Sequence, residues 1–134
     1  MNKPKSKMVF ICVENVRRSQ MAQGFAEALG REKVEVYSAG SRLSQQIDPL
    51  VIEVMKEKGI DLSGKRPKGL NDLPPIEMDY LITMGCEETC PAVAARKVIE
   101  WDIPDPKGKS FNVFREVRDM TEEKVKTFLK NCFL

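Results

Sequence analysis

Hydrophobic residues in this chain fall into short runs separated by polar segments. Four runs are continuous or alternating and rich in β-branched or aromatic residues, which predicts strands at 7–12, 34–39, 80–84 and 97–101. Longer stretches with helical spacing or helix-start signals predict helices at 19–29, 49–58 and 110–129, and a weaker one at 87–96. Residues 60–77 are expected to form a loop with a helical turn near Leu70.

Strands that alternate with helices, each strand a near-continuous apolar run, are typical of a parallel sheet. We therefore predict a three-layer α/β fold: a four-stranded parallel sheet flanked by helices on both faces, in one domain over 1–134, with 1–6 as a flexible N-terminal tail. In such sheets, ligands bind beyond the carboxyl ends of the strands. Four residues that can carry chemistry fall at or after such ends: Cys12, Ser38, Cys86 and Asp105.

Composition narrows the class of protein. With 22 basic against 20 acidic residues, the net charge of +2 gives no reason to expect a nucleic-acid partner. The apolar run that follows the basic N-terminus stops at Glu14, too early for a signal peptide or a membrane helix. We expect a cytoplasmic monomer that does not bind membranes.

Histidine is absent, and four cysteines are present, at 12, 86, 90 and 132. The absence of histidine excludes Cys-His and Ser-His-Asp catalysis and His-ligated zinc or haem, and we expect no metal. Thiols in a reducing compartment indicate redox chemistry or catalysis rather than structural disulfides. We expect Cys132 to be a packed helix residue.

The segment CVENVRRS, residues 12–19, joins the first strand to the first helix. A loop wrapped there would turn its amides and the helix N-terminus toward a bound anion, with Arg18 as a planar fork and Cys12 as an activated nucleophile. Ser19 could stabilise the thiolate and Asn15 could pin the loop. The predicted oxyanion-binding residues are Val13, Glu14, Asn15, Val16, Arg17, Arg18 and Ser19. The alternative is a buried strand-end thiol beside two solvated arginines.

Two further features could complete such a site. Asp105, in a proline-stiffened stretch after a predicted strand, could be the general acid for a leaving oxygen, although Asp-Pro alone is a turn signal. Cys86 and Cys90 would lie on one helix face, within disulfide range. They could be a redox relay or a pair of small buried residues.

These residues resemble a known family. The segment 12–22 resembles the phosphate loop and first helix of the low-molecular-weight tyrosine phosphatase fold. Three later segments, YSAG (37–40), TMGC (83–86) and WDIPDPKGK (101–109), are similar to the thioredoxin-coupled arsenate reductases of that superfamily. The resemblance implies an active site built from the first loop and the Asp-Pro loop.

The resemblance also implies a mechanism. Cys12 attacks arsenate held by Arg18 and the loop amides, and Asp105 protonates the departing oxygen. Electrons pass through a Cys12, Cys86 and Cys90 relay, and we leave open which of the last two acts first. No cofactor is implied, because a thioredoxin-type protein supplies the electrons. Phosphate or sulfate would compete with arsenate.

The chain departs from the family pattern at several positions. Glu14 stands where a glycine is common, Arg17 where phosphatases often have cysteine, and Lys107-Gly108-Lys109 where phosphatases carry aromatic residues. Gln23 replaces a glutamate that helps some relatives bind potassium, so we predict no potassium site. The alternatives are a phosphatase acting through a Cys12 phosphocysteine, and a non-catalytic module that binds oxyanions or senses thiols.

Overall fold

The computed structural model describes residues 4–42, 44–85 and 93–133. In chain order the elements are β1 (Ser6–Cys12), α1 (Arg18–Gly30), β2 (Val34–Gly40), α2 (Pro49–Lys56), β3 (Met78–Met84), β4 (Ala95–Trp101) and α3 (Phe111–Phe133). Single turns of 3-10 helix lie at Arg31–Lys33 and Leu70–Asp72, the second where a helical turn was predicted. No helix in the described part is long and apolar enough to cross a membrane.

The four strands form one parallel sheet in the order β2-β1-β3-β4. β1 is central, and its last residue, Cys12, pairs in register with Gly40 at the end of β2. The predicted fold class is therefore confirmed. Because the carboxyl ends of all four strands lie at one edge, the loops after β1 and β4 are brought together there.

The sheet has a large core on one face and a small one on the other. Phe10 of β1, Phe25 of α1 and Phe114 of α3 are almost fully buried in the large core, together with side chains from α2. The small core contains Val9 and Ile11 of β1, against which the segment around the second 3-10 turn packs. The anchoring of α1 in the large core holds its N-terminus at the end of β1.

Several predicted boundaries were wrong, including the end of α3, which continues to Phe133 instead of stopping at 129. Ser6 already pairs with Val34 in the sheet, so the predicted tail was too long. α2 ends at Lys56, two residues earlier than expected, before a turn that reaches Gly59. Ala95 and Arg96, predicted as the end of a helix, belong to β4, because parallel pairing with β3 overrides their helix propensity. The rest of that predicted helix, 87–94, lies mostly outside the described residues.

The start of α2 was predicted correctly. Asp48 is its N-cap, since Oδ1 accepts a hydrogen bond from the Leu50 amide at 3.0 Å, and Pro49 occupies the first helical turn. This cap uses one carboxylate oxygen of Asp48 and leaves the other for a neighbouring side chain.

Gly40 is required where β2 passes the loop after β1. A Cβ at this position would lie 2.7 Å from Val13 O and 2.9 Å from Asn15 N, both of them backbone atoms that cannot swing away. The glycine therefore allows the close approach on which the conformation of residues 13–15 depends.

We predict that Gly40→Ala lowers the free energy of unfolding by about 1–3 kcal/mol, because the added methyl group overlaps the loop backbone. Inorganic phosphate binding should weaken as well. Chemical denaturation and calorimetric titration measure the two effects. The matched control is Gly64→Ala, where a Cβ meets nothing within 4 Å. Equal stability of both variants would contradict the prediction.

Candidate active site

The loop after β1 wraps around the end of the strand. Cys12 is 3% exposed, residues 13–17 form a series of bends, and α1 begins at Arg18. Loop carbonyls accept hydrogen bonds from the chain outside: Cys12 O from Ser41 N (3.3 Å), Val13 O from Arg42 N (2.7 Å) and Val16 O from Asp48 N (3.3 Å). These carbonyls face outward, while the first amides of α1, which have no intrahelical partner, start at the loop.

Asn15 holds the loop in shape. It is buried, with a φ of 58° in the left-handed region that asparagine tolerates. Its Nδ2 donates to Ser19 Oγ at 2.7 Å, and its Oδ1 accepts from Gln20 Nε2 at 2.9 Å and from the Lys68 amide at 2.7 Å. The sequence had indicated a pinning role for Asn15, and the structure shows its partners.

Ser19 connects this network to the thiol. Ser19 Oγ lies 2.8 Å from Cys12 Sγ. Because Ser19 Oγ already accepts the proton of Asn15 Nδ2, its own proton is free to point at the sulfur. A hydroxyl that donates to sulfur stabilises the thiolate, which is the nucleophilic form.

Arg18 is buried at the base of the site. Its Nη1 donates to Ile103 O at 3.0 Å, and a Cβ at Gly85 would overlap this guanidinium, so a glycine is needed there. Within the described part of the chain, Arg18 Nε is buried and has no hydrogen-bond partner. Leaving such a donor unpaired costs about 1–3 kcal/mol, so the arrangement favours an anion beside Arg18.

Arg17 has a different environment from its neighbour. Its guanidinium is surrounded by carboxylates: Nε donates to Asp105 Oδ1 at 2.9 Å, Nη1 to Asp48 Oδ2 at 3.2 Å, and Nη2 to Glu14. Burial lowers the pKa of Arg17, but Asp105 and the other carboxylates outweigh it and raise the pKa above its ordinary value. All three nitrogens of this guanidinium thus contact carboxylates.

Asp105 reaches the site from the segment after β4. Oδ1 accepts from Arg17 and from the Lys107 amide at 3.1 Å, and Oδ2 lies 3.6 Å from Arg18 Nη2. Oδ2 is thus the oxygen on the side of Arg18. The structure brings six predicted site residues to a single cleft: Cys12, Glu14, Val16, Arg17, Arg18 and Asp105.

The charge of Glu14 is compensated. Its carboxylate accepts from Lys107 Nζ at 3.0 Å and from Arg17. The hydrogen bond from Lys107 lowers the pKa of Glu14, burial opposes this shift, and Arg17 adds to the lowering. A carboxylate paired with two cations repels a bound anion far less than a bare one.

Other residues from the sequence analysis have different places. Cys86 and Cys90 lie outside the described residues. Ser38, at a strand end, donates to Gln23 Oε1 at 2.5 Å and belongs to the packing between β2 and α1. Asp48 was identified only as a helix cap, and Lys68 not at all, because their contacts with the loop join residues far apart in sequence.

Residues 7–132 match the model of the low molecular weight phosphotyrosine protein phosphatases. The chain belongs to this family.

Among its relatives are proteins named as arsenate reductases. It is 36% identical over 126 residues to a glutaredoxin arsenate reductase of Synechocystis sp., covering 92% of this chain and 95% of the relative. It is 35% identical over 130 residues to arsenate reductase 2 of Staphylococcus saprophyticus, covering 95% and 98%. A solved arsenate reductase in its phosphate-binding state superposes with a TM-score of 0.86 at 36% identity, over 94% of this chain and 98% of that one.

We predict that Ser19→Ala slows alkylation of Cys12 by iodoacetamide about threefold to tenfold near neutral pH, because the thiolate loses its hydroxyl donor. Mass spectrometry of the alkylated peptide follows the rate at Cys12 itself. Ser63→Ala, on an exposed serine, is the control. An unchanged rate in Ser19→Ala would show that the hydroxyl does not stabilise the thiolate.

We also predict that Lys107→Met raises the pKa of Glu14 toward its usual value. Lys107 contributes the largest lowering effect on that carboxyl, so its removal makes protonation easier. Carbon-detected NMR titration of the carboxyl group measures the change. Lys109→Met, on an exposed lysine of the same segment, should leave the pKa of Glu14 in place. If Lys107→Met also leaves it in place, the ion pair does not form in solution.

Proposed function

We propose that this chain is an arsenate reductase. The observation that carries the proposal is the cleft that contains Cys12 Sγ, 2.8 Å from a serine hydroxyl, and the buried Nε of Arg18, which has no hydrogen-bond partner within residues 4–42, 44–85 and 93–133. A nucleophilic sulfur beside a free guanidinium donor is suited to attack on the central atom of a tetrahedral oxyanion. The names of the relatives support arsenate as that anion.

In the first step, Cys12 Sγ forms a bond to arsenic and one As–O bond breaks. Arg18, the loop amides and the N-terminus of α1 hold the remaining oxygens. Asp105, through the oxygen on the side of Arg18, delivers the proton with which the leaving oxygen departs as water. This step changes no oxidation state.

In the second step, the thiolate of Cys86 or Cys90 attacks the sulfur of Cys12. An S–S bond forms, the S–As bond breaks, and its electron pair stays on arsenic, so As(V) becomes As(III) and arsenite leaves. The remaining thiolate of the pair then attacks its partner in that disulfide and releases Cys12 as a thiolate. This exchange requires the thiols of Cys86 and Cys90 to reach Cys12 in turn.

A dithiol protein must then reduce the Cys86–Cys90 disulfide. We propose a thioredoxin-type donor. Because Cys86 and Cys90 would form a disulfide within this chain, a dithiol protein can reduce it directly by thiol–disulfide exchange. The glutaredoxin named in the Synechocystis relative is the alternative donor.

Arsenate-dependent NADPH oxidation tests the proposal, with thioredoxin and its reductase in one arm, and glutathione, glutaredoxin and glutathione reductase in the other. We expect Cys12→Ser to reduce turnover by at least about a thousandfold, and Cys86→Ser and Cys90→Ser to stop multiple turnover with thioredoxin. Cys132→Ser, at a half-buried thiol of α3, is the matched control and should retain activity.

The family also contains phosphatases, so hydrolysis of p-nitrophenyl phosphate belongs in the same experiment. Phosphoester hydrolysis that survives Cys86→Ser and Cys90→Ser, with no arsenate turnover in either arm, would mean that the chain is a phosphatase. If Cys12→Ser retains both activities, the loop thiol is not the nucleophile.

A further inference from the structure

Exposure increases steadily from the base of the cleft to its rim. Cys12 is 3% exposed and Arg18 6% at the base. At the rim, the side chains of Glu14, Asp105 and Lys107 are 25%, 33% and 63% exposed. Glu14 comes from the loop after β1, whereas Asp105 and Lys107 come from the segment after β4. The two sides of the entrance are therefore supplied by different parts of the chain.

Ion pairs join these two sides. Lys107 Nζ lies 3.0 Å from Glu14 Oε1 and so joins the two sides at their exposed edge. Deeper in the cleft, Arg17 contacts Glu14 on one side and Asp105 on the other. We call these four residues, Glu14, Arg17, Asp105 and Lys107, the rim clasp. It includes Glu14, Arg17 and Lys107, three of the charged residues at which this chain departs from the family pattern.

The closed clasp leaves little space. With the ion pairs closed, the cleft lined by Cys12, Glu14, Val16, Arg17, Arg18 and Asp105 has no space for a water-sized sphere. A ligand therefore has to move the rim side chains as it enters. A tetrahedral oxyanion needs only a small movement, whereas an aryl ester of the same anion needs a larger one, because its ring extends past the rim.

We infer that the rim clasp determines specificity: it closes over a free inorganic oxyanion and is held open by an ester, so that Glu14 and Lys107 select against phosphomonoesters. The inference deepens the proposed function and rests on it for the identity of the anion that is reduced. Discrimination comes from the difference between the two bound states. A free oxyanion allows the clasp to reform, while an ester binds only with its ion pairs broken.

The exposure of the clasp residues suits this role. The side chain of Lys107 is mostly in solvent, so its pair with Glu14 opens easily and does not block the entry of the anion. Arg17 is buried and keeps Asp105 in place while the outer pair opens. The outer pair, Lys107 with Glu14, therefore affects which ligand binds, and the inner pairs made by Arg17 keep the site in shape.

Direct binding tests the inference without any catalytic step. In a Cys12→Ser background, which cannot form the covalent intermediate, calorimetry gives Kd for inorganic phosphate and for phenyl phosphate. At about pH 8 both ligands are mainly dianions, so a change in the charge of the rim affects them alike and cancels in the ratio of the two Kd values. The variants are Glu14→Gln and Lys107→Met, with Lys109→Met as the matched control.

We expect Glu14→Gln and Lys107→Met each to lower the ratio of the phenyl phosphate Kd to the phosphate Kd by roughly threefold to tenfold, with the larger effect in Glu14→Gln, which loses two partners. Lys109→Met should leave the ratio unchanged. The inference is overturned if neither ratio falls, or if Lys109→Met lowers it equally.

These outcomes are separate from those of the proposed function. A lower ratio in both clasp variants, together with no arsenate turnover in the parent protein, would support the clasp and reject the reductase. Arsenate turnover with unchanged ratios would do the reverse. Failure of inorganic phosphate to bind even the Cys12→Ser parent would overturn the clasp, because no anion would be enclosed.

Discussion

The carboxamide of Asn15 carries the hydrogen bonds on which the rest of the site depends. Its oxygen accepts from Gln20 in α1 and from the backbone of Lys68, so the loop, the helix and a distant segment are held by a single group. Its nitrogen donates to Ser19, which leaves the serine proton for Cys12. Asparagine suits this position for two reasons: it tolerates the left-handed backbone conformation, and its side chain offers both a hydrogen-bond donor and an acceptor.

Arg17 and Arg18 are adjacent in sequence but have different contacts, because α1 begins between them. Arg18 is the first residue of α1 and extends to the base of the cleft, where its Nε has no partner among the described residues. Arg17 precedes the helix at the N-cap position, and its side chain contacts Asp48, Asp105 and Glu14 instead of capping the helix. The residue proposed to bind the anion and the residue that contacts the carboxylates are thus neighbours in sequence, although their side chains have different partners.

Sequence patterns predicted the strands and motifs that are formed by residues close together in the chain. The sheet followed from four apolar runs, and Cys12, Arg18 and Asp105 followed from a short loop motif and an Asp-Pro segment. Predictions failed where tertiary contacts decide: Ala95 and Arg96 join an edge strand that is half open to solvent, so its pattern is not that of a buried strand. The pairing of Glu14 with Lys107 spans 93 positions, and no periodicity or spacing rule encodes such a contact.

Because the charged side chains in and around the cleft balance one another, different groups determine the affinity for an anion and the selection between anions. Three carboxylates, Glu14, Asp48 and Asp105, face the cations of Arg17, Arg18 and Lys107, so these six side chains together carry no net charge. In the proposed mechanism, attraction for an oxyanion therefore comes mainly from the loop amides, the N-terminus of α1 and Arg18 Nε, which has no partner among the described residues. Selection between free anions and esters lies instead in side chains at the rim. A family that keeps one loop can therefore change its substrate through a few exposed residues, without altering the nucleophile or the fold that supports it.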